Sequence, residues 1–358
     1  MTASVSIEEL LQLMVEKGGS DLHVTAGSPP RIRVDGELLP TEHPSLHAEE
    51  TKNIVYSILN GEQVARFEKE LELDMSFGIQ GLGRFRTNVF VQRGAVGAVL
   101  RIIPTDIKGI DKLGLPRDVC VELLSMPKGL ILVTGATGSG KSTTLAAMID
   151  YINDSRNEHI ITIEDPIEFV HRNKKCLFNQ REVGTDTLAF HKALRSVLRQ
   201  DPDVVLIGEM RDTETIEAAL TLAETGHLTF GTLHTSDCTQ TINRVVDVFP
   251  AHQQQQIRTQ LSFTLQGVFC QQLLPTSSGK GRALCAEVMV CNSAIRALVR
   301  DNKIHQIYSH IQTGGKHGMM TMNASLAKLV KERKITRETA MERTTDIEEL
   351  NRLMLKEM

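Results

Sequence analysis

The residues with the clearest chemical potential lie in stretch 130–145, which reads LILVTGATGSGKSTTL. Within it, Gly135 to Ser142 fits G-x-x-x-x-G-K-[ST] at every fixed position. Gly138 and Gly140 permit backbone angles closed to other residues. Successive backbone N–H groups can then point inward at phosphate oxygens. A helix beginning after the loop adds partial positive charge at its N-terminus. The chemistry is that of a nucleoside triphosphate, ATP, with Mg²⁺. Lys141 is expected to reach the β/γ-phosphates and Ser142 to hold the metal, with Gly135, Thr137, Gly138, Ser139, Gly140 and Thr143 completing the loop.

Three later stretches supply acids and a histidine. In residues 203–209, DVVLIGE, an apolar run ends in Glu209. A buried strand of that kind delivers a carboxylate to its C-terminal edge, where Glu209 can hold Mg²⁺ through water or orient an attacking water. Arg211 and Asp212 follow and read as a surface turn and a helix cap. Residues 161–169, ITIEDPIEF, form a second run ending in acids, with Glu164, Asp165 and Glu168 close together. Their mutual repulsion is costly unless a cation offsets it, and Mg²⁺–ATP is such a cation. The third stretch is Gly231-Thr232-Leu233-His234-Thr235, in which His234 sits at a strand end. It can hydrogen-bond a phosphate or relay between Glu209 and the nucleotide.

The elements that must position these groups read as an α/β pattern from about residue 118. Apolar runs at 130–133, 160–163, 204–207 and 229–233 suit buried parallel strands. After Lys141, Leu145, Met148, Ile149 and Ile152 form one helical stripe. A helix is expected near 213–225, with Asp212 as N-cap and Gly226 just past its end. A long helix is expected over 252–274, with Ile257, Leu261, Leu265 and Val268 on one face. Residues 292–358 read as several short helices.

Upstream, 5–16 reads as an amphipathic helix stopped by Gly18-Gly19. Strands are expected at 21–25, 31–34 and 37–39, the last two joined by an Asp35-Gly36 hairpin turn. Helices follow at about 48–60 and 63–69, then antiparallel strands at 71–77, 83–92 and 97–103. This is a smaller α+β domain, 1–103. A Pro/Gly-containing linker spans 104–117, and the α/β domain occupies 118–358.

Length and composition agree with this division. A chain of 358 residues is expected to form two domains. A net charge of −4 and the absence of Trp disfavour nucleic acid as partner. Six cysteines without any C-x-x-C pair read as buried free thiols in a reducing compartment. No signal-peptide pattern opens the chain, and no apolar run approaches the ~18 residues of a membrane span. The expected location is cytoplasmic, or peripheral to a membrane through partners.

The ordered set GATGSGKSTT, ITIEDPIEF, QREVG, LRQDPDVVLIGEMRD, ETGHLTFGTLHT and RVVDVFP resembles the secretion ATPase superfamily of type II and type IV secretion and type IV pilus motors. Within it the chain is similar to the pilus retraction, or twitching-motility, branch. The resemblance covers nearly the whole chain. It implies a homohexamer ring at the cytoplasmic face of the inner membrane that acts on a membrane-embedded platform protein. It implies a PAS-like N-terminal domain and a RecA-like ATPase domain. Lys141 would bind phosphate, Ser142 and Glu209 the Mg²⁺, with Glu209 as key catalytic carboxylate. Glu164 and Glu168 would assist, His234 would be the histidine of its box, and Arg84, Arg86 and Arg101 would complete the nucleotide cleft. The base is either Glu209 or a glutamate of the Asp box.

A C-terminal motif of the retraction branch, A-I-R-N-L-I-R, is matched by Ala294-Ile295-Arg296-Ala297-Leu298-Val299-Arg300, with Ala297 in place of Asn and Val299 in place of Ile. Two other enzymatic roles fit the same core: a pilus assembly or secretion ATPase, and a nucleic-acid translocase. A third role is an accessory ring subunit. Assembly relatives carry a longer N-terminal region and a four-cysteine zinc insert, neither of which the sequence shows.

Overall fold

The structure is a computed structural model and describes residues 5–356, apart from the side chain of residue 356. The chain divides between Thr105 and Asp106 into two units. In the first, Ser6 caps α1 (Ile7–Glu16) through a capping box with Glu9, and the helix buries Ile7, Leu10, Leu11 and Met14. Strands β1 (Asp21–Val24), β2 (Arg31–Val34) and β3 (Glu37–Pro40) follow, then α2 (Ala48–Tyr56) and α3 (Gly61–Glu70). β4 (Glu72–Ile79), β5 (Gly83–Gln92) and β6 (Ala95–Ile103) complete a six-stranded sheet ordered β3-β2-β1-β6-β5-β4. Asp35 and Gly36 both have positive φ, 50° and 90°, as a two-residue hairpin turn of the expected kind requires. One sheet face is core, with Leu22, Phe85, Val89 and Leu100 fully buried. The alternate face carries a transverse row in which Arg33 pairs with Asp21, Asp21 with Arg101, and Arg101 with Arg86.

The Pro/Gly stretch after residue 104 does not hang free. Ile110 and Leu115 are buried in the second unit's core, ahead of α4 (Arg117–Leu124). Then β7 (Gly129–Thr134), α5 (Lys141–Ser155), β8 (His159–Glu164), β9 (Leu177–Glu182), α6 (Phe190–Val197), β10 (Val204–Ile207), α7 (Thr213–Glu224), β11 (Leu228–Leu233) and α8 (Cys238–Asp247) alternate. After α9 (Ala251–Thr264) come β12 (Leu265–Pro275) and β13 (Arg282–Val290). The seven strands are ordered β13-β12-β7-β11-β10-β8-β9, and only the β12–β13 pair is antiparallel. β7 feeds two cores by alternation: Leu130 and Leu132 face one, Ile131 and Val133 the other. A strand covered on both faces is apolar at every position, which is why these strands read as unbroken runs.

One element differs from its expected form. The helix beginning near residue 252 stops at Thr264, and the remaining stretch to Pro275 is β12. Ile257, Leu261, Leu265 and Val268 keep helical spacing, yet β12 is wedged between β7 and β13 and buried almost throughout. A run buried on both faces has no period of its own, so tertiary pairing decides it. Gly267 marks the tight fit, since a Cβ there would lie 2.7 Å from Leu123 Cδ1. β9, β12 and β13 had no counterpart among the expected strands.

The remaining helices α10 (Ser293–Arg300), α11 (Ile307–Thr313), α12 (Met322–Lys331), α13 (Arg337–Arg343) and α14 (Ile347–Lys356) are short, as expected. All six cysteines are buried and free. No helix among the described residues is long and apolar enough to cross a membrane.

Candidate active site

The loop between β7 and α5 has the geometry its glycines require. Gly135, Gly138 and Gly140 have φ of 140°, 78° and 93°. Gly135 has no room for a side chain: a Cβ there would lie 2.4 Å from the Gln271 carbonyl and 2.5 Å from Ser139 Oγ. Ala136, Thr137 and Gly138 are exposed while Ser139 is buried. Lys141 curls back over the loop, its Nζ donating to the carbonyls of Gly135 at 2.8 Å and Ala136 at 3.1 Å. Burial lowers the Lys141 pKa, and the Glu209 carboxylate opposes that shift. Ser142 and Thr143 begin α5, with Ser142 exposed.

Sheet order brings the acids to this loop. The C-terminal ends of β7, β11, β10 and β8 lie in that sequence, so the glycine loop, His234, Glu209 and Glu164 come side by side from distant parts of the chain. His234 follows β11 and Glu209 follows β10, and His234 Nε2 stands 3.2 Å from Glu209 Oε1. The other carboxylate oxygen, Oε2, accepts from Arg211 Nη2 at 2.6 Å. That hydrogen bond holds Glu209 below the usual carboxylate range; burial opposes it, and the charges of Arg211, His234 and Lys141 assist. Asp212 caps α7 through Thr215 N at 2.8 Å, as expected. Arg211 is not an idle turn residue, because its guanidinium sits on the candidate catalytic acid.

Glu164 ends β8 and is buried. Its Oε1 accepts from Thr162 Oγ1 at 2.6 Å and from Gln180 Nε2 at 3.1 Å. Its Oε2 accepts from Glu168 N at 3.4 Å. Burial raises the Glu164 pKa despite these donors. Thr162 and Gln180 are cross-strand partners on β8 and β9, so register places both donors on the same carboxylate. The Glu168 side chain is exposed, and that residue meets Glu164 through its backbone N–H. Gly208 lets β10 and β8 end close together: a Cβ there would lie 3.2 Å from Glu164 Cα.

Arg84, Arg86 and Arg101 belong to the other unit. Arg84 Nη2 donates to Ser76 Oγ at 2.6 Å. Arg101 Nε donates at 2.7 Å to Asp21, which is itself buried. Arg86 is exposed beside Arg101. The two arginines of the C-terminal motif part company. Arg296 caps the end of α9 by donating to the carbonyls of Ser262 at 2.7 Å and Phe263 at 3.0 Å, and to Gln266 Oε1 at 2.7 Å. Arg300 is exposed and pairs with its neighbour Asp301.

The loop fits Mg²⁺–ATP on its own features. Ser139 Oγ is buried with no hydrogen-bond partner among the described residues, an orphan that a phosphate oxygen would satisfy. Lys141 holds two carbonyls that a phosphate can replace. Ser142 and Glu209 offer hard oxygen donors suited to Mg²⁺. Sequence reasoning missed Thr162, Gln180 and Arg211 as partners of the acids. Only the pairing of β8 with β9 reveals Gln180. The closeness of Arg211 to Glu209 in sequence was a usable signal.

A model of the family described as "Type II/IV secretion system protein" matches residues 3–352. The chain is 52% identical over 344 residues to "Type IV pilus retractation ATPase PilT" of Pseudomonas aeruginosa, covering 95% of this chain and 98% of that protein. It is 48% identical to a "Twitching motility protein" of Neisseria gonorrhoeae, covering 90% of this chain and 86% of that protein. A crystal structure of the pilus retraction motor PilT with bound ADP superposes with TM-score 0.90 at 52% identity, covering 97% of this chain and 99% of that one. The Legionella pneumophila ATPase DotB superposes with TM-score 0.76 at 26% identity, covering 96% of each chain. The fold is thus RecA-like in its second unit, and the chain belongs to the type II/IV secretion system protein family as a PilT-like ATPase.

Proposed function

We propose that this chain is the subunit of a homohexameric motor that couples Mg²⁺-dependent ATP hydrolysis to retraction of a type IV pilus. The observation that carries this reading is the convergence of Lys141, Glu209 and His234 on one sheet edge, in a chain 52% identical to a retraction ATPase over 95% of its length. Substrate ATP enters the loop, Lys141 leaves the Gly135 and Ala136 carbonyls for phosphate, and Ser139 finds its missing partner. Ser142 and Glu209 would hold Mg²⁺, which would supply charge withdrawal from the phosphates when bound. Glu209, kept ionised by Arg211, or Glu164 takes the proton of the attacking water. His234 orients Glu209, and Glu168 supports Glu164 through its N–H. Thr137, Gly138, Gly140 and Thr143 shape the cradle.

Arg84, Arg86 and Arg101 are proposed as the cations that neutralise the γ-phosphoryl oxygens in the assembled ring. To do work, each nucleotide state must favour a different arrangement of the two units. We place the required bending at the start of the 104–117 stretch, ahead of Ile110, which is buried in the second unit's core. The ring acts at the cytoplasmic face of the inner membrane on a platform protein. The direct check of the site is turnover by Lys141→Ala. This variant is expected to retain its fold and lose ATP hydrolysis, and wild-type turnover would overturn the assignment.

A further inference from the structure

Beneath the glycine loop, outside the nucleotide machinery, two sulfurs and a carboxylate meet in the core. Cys238 opens α8, Cys270 lies on β12, and Glu287 lies on β13. All three are buried, and their ligand atoms lie within 4.8 Å of one another. We propose that Cys238, Cys270 and Glu287 bind a zinc ion that staples the base of the nucleotide loop.

The spacing is the first argument. Cys238 Sγ and Cys270 Sγ are 3.7 Å apart. Two thiolates bound to one tetrahedral zinc at about 2.3 Å each stand roughly 3.8 Å apart. Disulfide sulfurs stand at about 2.05 Å. The second argument is charge. Glu287 is 2% exposed, and no Lys, Arg or His forms an ion pair with it among the described residues. Its Oε1 accepts from the Cys238 backbone N at 2.8 Å, and the nearby charge of Asp237 is of the same sign. Glu287 also accepts from the Met322 backbone N–H; a buried carboxylate that no cation faces is either neutral or bound to a metal. The third argument is the surroundings of Cys270. Thr134 Oγ1 donates to its sulfur at 3.0 Å, and Thr241 Oγ1 stands at 3.7 Å. A hydroxyl donated to a sulfur, as Thr134 gives here, is what a metal-bound thiolate recruits; the Thr241 hydroxyl donates instead to the Asp237 carbonyl at 2.8 Å. The donor set is soft, so it selects zinc over the Mg²⁺ of the loop above.

The staple has a definite place in the fold. Glu287, Cys270 and Thr134 are successive partners across β13, β12 and β7. Thr134 is the last residue before Gly135. Thr241 also joins Thr235, next to His234, at 2.7 Å. One ion would therefore fix both the start of the glycine loop and the strand end that carries His234.

The test is metal content of the untagged full-length protein, purified without chelators and kept reduced. The proposal expects about one zinc per chain. Replacement by Co²⁺ should give a sulfur-to-cobalt charge-transfer band that weakens in Cys270→Ser and vanishes in the Cys238→Ser/Cys270→Ser double variant. Glu287→Gln, which keeps the shape, should lower zinc affinity at least about tenfold. Lys141→Ala should keep its zinc, which separates this site from the nucleotide site. Folded, reduced wild-type protein with no zinc and no cobalt band overturns the proposal. So does an intact-mass measurement showing a Cys238–Cys270 disulfide.

Discussion

Arg211 gives the open choice of catalytic base an experimental handle. Its guanidinium holds Glu209 low, whereas Glu164 is raised by burial and receives its bonds from Thr162, Gln180 and the Glu168 backbone. A base must be ionised, so activity falls as pH drops through its pKa. Removing Arg211 raises the Glu209 pKa. With Glu209 as the base, Arg211→Ala shifts the acid limb of kcat/KM to higher pH and leaves the high-pH plateau the smaller change. With Glu164 as the base, the limb stays where it was. The measurement is a pH–rate profile of both proteins. A second residue-scale expectation concerns Gly135, whose φ of 140° and lack of space both exclude a side chain. Gly135→Ala should cost on the order of 1–3 kcal/mol from backbone strain alone and abolish nucleotide binding. Gly138→Ala, which meets nothing within 4 Å, should cost less. Denaturant unfolding and nucleotide titration distinguish them. Lys141, Ser142, Glu209 and His234 were legible as candidates because each closes a strand-end motif. Gln180 was not, since a polar residue mid-strand carries no signal until its partner strand is known.

At the scale of elements, the same contrast holds for α10. Arg296 and Arg300 are equivalent by spacing, yet one caps α9 and the other faces solvent. Arg296→Ala removes charge-assisted bonds to two carbonyls and should cost about 1.5–3 kcal/mol, a fall of several degrees in Tm. Arg300→Ala should stay within about ±0.5 kcal/mol. Thermal unfolding of the two variants checks this. A defect in function without loss of stability then belongs to Arg300. The amphipathic helices and the strands flanking the glycine loop were readable from periodicity and caps. β12 was not, because its residues are buried on both faces and continue the spacing of α9. Its identity comes from β7 and β13, which sandwich it.

For the whole molecule, the proposed coupling rests on two units with separate cores and on arginines carried by the first. Arg101 is anchored by buried Asp21, which also lies 3.8 Å from Arg33. If these arginines act on the γ-phosphoryl, Arg101→Ala should lower kcat by roughly 10²-fold or more, less than a full arginine finger's 10³–10⁵ because Arg84 and Arg86 are still present. Nucleotide affinity should change little. A large change in KM with unchanged kcat would assign Arg101 to binding alone. Glu209→Gln isolates the motor itself, because it removes the charged carboxylate while keeping its shape and one acceptor oxygen. The most direct measurement replaces the chromosomal gene with the Glu209→Gln allele and scores surface pili and twitching. The account predicts cells with abundant pili that do not retract and do not twitch. Bald cells, or cells that twitch normally, would contradict it.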